Sequence, residues 1–271
     1  MAKKIYPSYP SVFYGMWEQF INDWYNGKSV APWSDPNLTP LINNPKTKSL
    51  SIDYIPEPWW GNHEEDVPLH SVVVNFNPGQ GDVFQHRSRI PFHGCYAHNI
   101  VDSKVLPLTE KWHASLRAKP IHSALSIINP TGWKNLSLKN HLSVELIPWH
   151  TRAIAGCGFD NYLKQNAIQI MECSLMFAAN ESKRIANDKL RNVVILKMSK
   201  GNTDKLLNVL DSAGYNYVPY SVKTVPGTSS HCYEFSIEHI PSVRFVSIWG
   251  EHAMNKFPNK SDLKYILDKF I

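Results

Sequence analysis

Three polar motifs in this 271-residue chain could do chemistry. They are Asn75-Phe76-Asn77-Pro78-Gly79, Glu145-Leu146-Ile147-Pro148-Trp149-His150, and the stretch from Gly250 to Pro258 that holds His252, Asn255 and Lys256. Asn-Pro-Gly alone is a common turn signal, since Pro presets the backbone and Gly closes the turn. An asparagine is a weak base, so Asn77 suits a reaction that needs orientation more than proton removal. No lysine occupies that motif, and a Schiff-base step is not suggested there. An ionised Glu145 only accepts hydrogen bonds and therefore fits a partner that donates.

Other chemistries find little support. The four cysteines, Cys95, Cys157, Cys173 and Cys232, are scattered and never form the close pairs that hold zinc or an iron–sulfur cluster, so reduced thiols are expected. His86, His93 and His98 match no helical ligand spacing, and no metal or other cofactor is expected. Gly79-Gln80-Gly81 is too short to be a phosphate-cradling P-loop.

These motifs need a frame that brings them together. Four apolar runs have the length of buried strands: Ser71–Phe76, Leu142–Ile147, Asn192–Met198 and Val243–Trp249. A helical stretch over roughly 160–188 carries Leu163, Ile170, Met171, Leu175 and Ala178 on one face. Leu206, Leu207 and Leu210 mark a shorter helix that stops at Gly214. Ser261 is the expected cap of a last helix bearing Leu263, Ile266, Leu267 and Phe270. Alternating strands and helices give an α/β fold with a parallel sheet covered on both faces and ligands bound at the carboxyl ends of the strands. All three motifs stand at such ends. His231–Ile240 alternates like an exposed or edge strand and finds no secure place in this scheme.

With 43% hydrophobic residues the chain can bury a large core, and a single domain over 1–271 is expected. Residues 1–50 form its N-terminal extension, with an amphipathic helix over 11–26 (Phe13, Met16, Trp17, Phe20, Ile21, Trp24) and then a Pro-, Asn- and Ser-rich wrapping segment. No run approaches 18 apolar residues and the N-terminus lacks the apolar core of a secretory signal, so a cytoplasmic protein with no membrane partner is expected. The formal charge of +5 suits a partner with a phosphate backbone.

The motifs, taken together, resemble a known family. Asn77-Pro78-Gly79 at the end of the first strand is similar to the N-P-G motif of the single-strand-selective (SMUG-type) and mismatch-specific members of the uracil-DNA glycosylase superfamily. Ile90-Pro91-Phe92-His93-Gly94 resembles the V-P-F-G element that follows it in the SMUG-type enzymes. His252, Lys256 and Pro258 look like the remnant of the H-P-S-P-R-N-P loop. The likeness runs in order over about residues 55–260.

This resemblance implies a three-layer α/β/α fold around a central, mostly parallel four-stranded sheet. It implies a monofunctional DNA glycosylase that flips a base out of DNA and hydrolyses its N-glycosidic bond. Asn77 would hold the attacking water, with Pro78 and Gly79 admitting base and sugar. His252 would stabilise the negative charge of the departing base, and Phe92 would stack on it. Lys256 and Asn255 would contact the DNA backbone. Trp59 and Trp60 are candidates to line the same cleft, although packing is the commoner fate of at least one of them. Asp82 is a second candidate to position water. The partner would be DNA, single- or double-stranded, and the protein a monomer.

One departure bears on the base. Where the SMUG-type pattern has an Asn that reads the pyrimidine, this chain has Glu145. Uracil offers an acceptor at O4, which a carboxylate repels, whereas cytosine offers a donor amine at N4, and a carboxylate accepting from that amine is a recognised pairing. The expected substrate is therefore a modified cytosine, as in phage DNA, and the expected role antiviral defence. Ordinary uracil repair, with Glu145 structural and His150 reading the base, is one competing reading. A non-catalytic reader of modified DNA is another. Asn75, where the family has Gly before N-P-G, and Gln80-Gly81-Asp82 also depart from the pattern.

Overall fold

Runs such as Ser71-Val-Val-Val-Asn75 and Val193-Val-Ile-Leu-Lys197 are dominated by β-branched side chains, which pack well on a pleated surface and crowd a helix. In the computed structural model, which describes residues 59–61, 68–76, 141–147, 168–186, 188–250 and 257–271, they form strands. The described elements are β1 (Trp59–Gly61), β2 (Ser71–Asn75), β3 (His141–Glu145), α1 (Ile168–Ser182), β4 (Val193–Lys197), α2 (Lys200–Ser212), β5 (Tyr217–Thr224), β6 (His231–Ile237), β7 (Arg244–Trp249) and α3 (Lys260–Lys269). The segments 1–50 and 11–26 lie outside them.

The protein is α/β, with one mixed sheet in the order β1-β3-β2-β4-β7-β6-β5. Its four central strands, β3, β2, β4 and β7, run parallel, and they are the four apolar runs. The expectation of four strands is corrected to seven among the described residues. β1 adds antiparallel to β3 at one side, and β6 and β5 add antiparallel beyond β7 at the other. β5 escapes a sequence reading because it is exposed along most of its length and carries Pro219, so no burial period marks it. The strand in His231–Ile240 ends at Ile237 and lies second from the edge, covered there by β5.

Val72, Val73 and Val74 are all buried although successive side chains point to opposite faces, so both faces of the sheet are covered here. Thr203 Oγ1 of α2 shares a 2.6 Å hydrogen bond with Ser247 Oγ of β7. Arg244, three residues before Ser247 and so on the opposite face, donates to the Ile271 carbonyl just beyond α3. α1 is buried around most of its girth and ends at Ser182, short of residue 188. Leu163 lies outside the described residues. Trp59 is core, 6.4 Å centroid to centroid from Phe177 of α1, and does not line a cleft.

The helix ends follow capping chemistry. Ser199 caps α2, and Gly214, at φ +80, takes the left-handed conformation that stops it. Asn259, not Ser261, caps α3: its side chain accepts from the Asp262 amide at 3.0 Å. Ser261 instead donates to the Asn259 side-chain oxygen at 2.6 Å. No described helix is long and apolar enough to cross a membrane.

Cys173 and Cys232 are buried thiols outside any disulfide; Cys95 and Cys157 lie outside the described residues. Burial pushes the Cys232 thiol up to about 11 from its ordinary value of 9.0, with Lys223 and Arg244 opposing and Glu234 adding to the shift. The unfolded chain therefore ionises this thiol first. The stability it lends is whole below pH 9.0 and is lost as the pH rises through about 11. Urea midpoints measured across that window are expected to fall less steeply for Cys232→Val than for the native chain; equal slopes would assign the loss to other groups.

Candidate functional site

Parallel pairing gathers the carboxyl ends of four strands along one edge. The last residues of β3, β2 and β4 are in register there, Asn75 opposite Glu145 on one side and opposite Lys197 on the other. Paired residues of neighbouring strands share a face, so Glu145, Asn75 and Lys197 form a row, each about 4.8 Å of sheet from the next.

Hydrogen bonds join two members of this row. Asn75 Nδ2 donates to Ser143 Oγ at 2.7 Å and to Glu145 Oε1 at 3.2 Å. Glu145 is only 3% exposed, a placement that costs several kcal/mol for a lone carboxylate, and Asn75 donates to one of its two oxygens. Asn75 itself is half-buried. Beyond the strands the ladder continues, with the Leu146 amide on the Asn75 carbonyl at 2.9 Å and the Ile147 amide on the Phe76 carbonyl at 3.0 Å. Phe76 and Ile147 thus stand side by side just beyond the ends of β2 and β3.

The third motif is tied to the same edge. A side chain added at Gly250 would come within 3.3 Å of the Pro258 Cα, so the two ends of the 251–256 segment are held against each other. Next to Pro258, the Phe257 ring lies under Lys197 Nζ, 5.7 Å from its centroid, a cation–π distance. Gly250 and Phe257, the described residues on either side of 251–256, therefore stand on the Lys197 side of the row.

Of the candidate site residues in the sequence, Glu145 is described, at the carboxyl end of β3. Asn77, Pro78, Gly79, Asp82, Phe92, His150, His252, Asn255 and Lys256 lie outside the described residues. Asn75, Ser143 and Lys197 were not singled out as site residues. A signal for two of them is present: β2 and β4 are mostly apolar strands that each end on a polar residue, Asn75 and Lys197.

Chemically, the row offers a buried acceptor, an amide and a cation in that order. That sequence of groups suits a planar, hydrogen-bonding ligand better than an apolar one. No family model, curated protein or solved structure matches the chain.

Proposed function

We propose that this protein is a monofunctional DNA glycosylase that extrudes a modified cytosine and hydrolyses its N-glycosidic bond, leaving an abasic site. In this reading the fold is the three-layer α/β/α type built on the four parallel strands, and the protein works as a monomer in the cytoplasm, on phage DNA. The observation that carries it is the buried Glu145 carboxylate, held by Asn75 at the edge where the Asn77-Pro78-Gly79 and His252 segments leave the sheet.

The chemistry runs as follows. Extruding the nucleotide costs a few kcal/mol, repaid by stacking on Phe92 and by hydrogen bonds to its edge. Glu145 accepts from the N4 amine, which uracil lacks. Asn77 orients the water that attacks C1′ as the base departs, Pro78 and Gly79 admit base and sugar closely, and His252 faces the negative charge that develops on the base. Asn255 and Lys256 hold phosphate. Lys197 lies over the Phe257 ring, and no covalent sugar–enzyme step is assigned to it.

The test is direct. The protein is incubated with uracil-containing DNA and with naturally modified phage DNAs, then treated with mild alkali, and released bases are identified by mass spectrometry. Release of a modified cytosine, with strand breakage only after alkali, is expected. Efficient release of uracil with modified DNA left intact would overturn the base assignment, and release from none would overturn the enzyme reading.

A further inference from the structure

Asn75 has one more consequence for the row. Its side-chain NH2 carries two hydrogens, and two acceptors claim them, Ser143 Oγ at 2.7 Å and Glu145 Oε1 at 3.2 Å. Turning the amide over would point Oδ1 at the Glu145 carboxylate, acceptor against acceptor, so the carboxylate fixes which way the amide faces. What remains for a ligand is Oδ1, which only accepts. Glu145, beside it in register, also only accepts when ionised.

We infer that Asn75 is a second base-reading residue, and that Asn75 and Glu145 together form an acceptor-only edge selecting a pyrimidine with an exocyclic amine. This rests on the glycosylase reading above and adds to it a second specificity-determining side chain. An exocyclic amine has two hydrogens and meets two acceptors. Uracil and thymine present a carbonyl at that point and face two acceptors with a third, so the edge rejects as well as attracts. The N3 and O2 atoms of a cytosine are acceptors, and Lys197, the next member of the row, supplies donors on that side.

The experiment uses the full chain and two single-stranded oligonucleotides, identical except for one 5-hydroxymethylcytosine or one uracil. Base release by mass spectrometry and binding by fluorescence anisotropy are both measured. Asn75→Ala is expected to lower the preference for the amine-bearing base about tenfold or more, as loss of one good base contact does, while uracil handling changes little. Equal loss on both bases, or an unchanged preference, would overturn the inference.

Asn75→Asp keeps the shape and serves if the alanine variant fails to fold. Two facing carboxylates repel unless they share a proton, and the shared proton restores the bond to Glu145. The edge is acceptor-only with or without that proton, so the amine preference of N75D is expected to persist at both pH 8 and pH 6; a preference for uracil at either pH in a folded protein would count against the inference. If the native chain releases neither base, the glycosylase reading fails alone, because the anisotropy comparison still decides whether the amine is preferred.

Discussion

Glu145→Gln is expected to turn base choice from amine toward carbonyl, shifting the ratio of kcat/KM for 5-hydroxymethylcytosine over uracil by about 100-fold or more. The argument is one of hydrogen-bond polarity. Glutamine has the length of glutamate, and its Oε1 can still accept from Asn75 Nδ2, the contact the native carboxylate makes at 3.2 Å. Its Nε2 then brings a donor to the row where the native chain has an acceptor. A carbonyl gains a partner and an amine loses one, and each such change is worth about 1–3 kcal/mol of discrimination. The substitution also removes a charge from a side chain only 3% exposed, so the fold is not expected to suffer. Single-turnover rates on matched oligonucleotides check it. An unchanged ratio would mean that Glu145 does not touch the base.

The second large effect concerns the fold that carries the row. Phe245 of β7 pairs in register with Val194 of the parallel block and with Phe235 of β6, so it sits where parallel pairing gives way to antiparallel. The Phe235 and Phe245 rings stack at 5.2 Å with an interplanar angle of 12°, and both side chains are fully buried. Phe245→Ala is expected to lower stability by about 3–5 kcal/mol through lost burial and the cavity left behind. Combining it with Phe235→Ala should cost less than the sum by about 0.5–1.5 kcal/mol, the worth of an aromatic pair beyond its area. Urea denaturation of the four proteins measures both quantities. A loss under about 1 kcal/mol for Phe245→Ala would show that this junction is not part of the stabilising core.

How much of this was legible in the chain depends on where the partner of each residue stands. The four parallel strands were readable because burial on both faces leaves continuous apolar text, as in Val72-Val73-Val74. β5 was not, because Val218, Tyr220 and Val222 are exposed and nothing along Tyr217–Thr224 marks a buried side. The α3 cap lies two residues from the expected Ser261 because Asn259 and Ser261 are both good caps, and only geometry shows that one serves the other. In the site, Glu145 was visible as an odd residue in a motif. Asn75 read as a mere departure, since what gives it meaning, Glu145, is 70 residues away. Lys197 closes an apolar strand with no motif around it, and only its register with Asn75 assigns it to the row.

That register has a consequence for how the molecule assembles. β4, α2, β5, β6 and β7 follow one another within residues 193–249, and short turns join β5 to β6 and β6 to β7, so this half of the sheet can pair early. β2 must instead find β3 and β4 across much longer stretches of chain, and the entropy of closing those loops is met only when both contacts form. The Glu145-Asn75-Lys197 row exists only once three distant segments are in register. It is thus expected to be among the last features to appear during folding, and the first to go when the protein is strained, so that recognition would fail at a temperature where most of the secondary structure still stands.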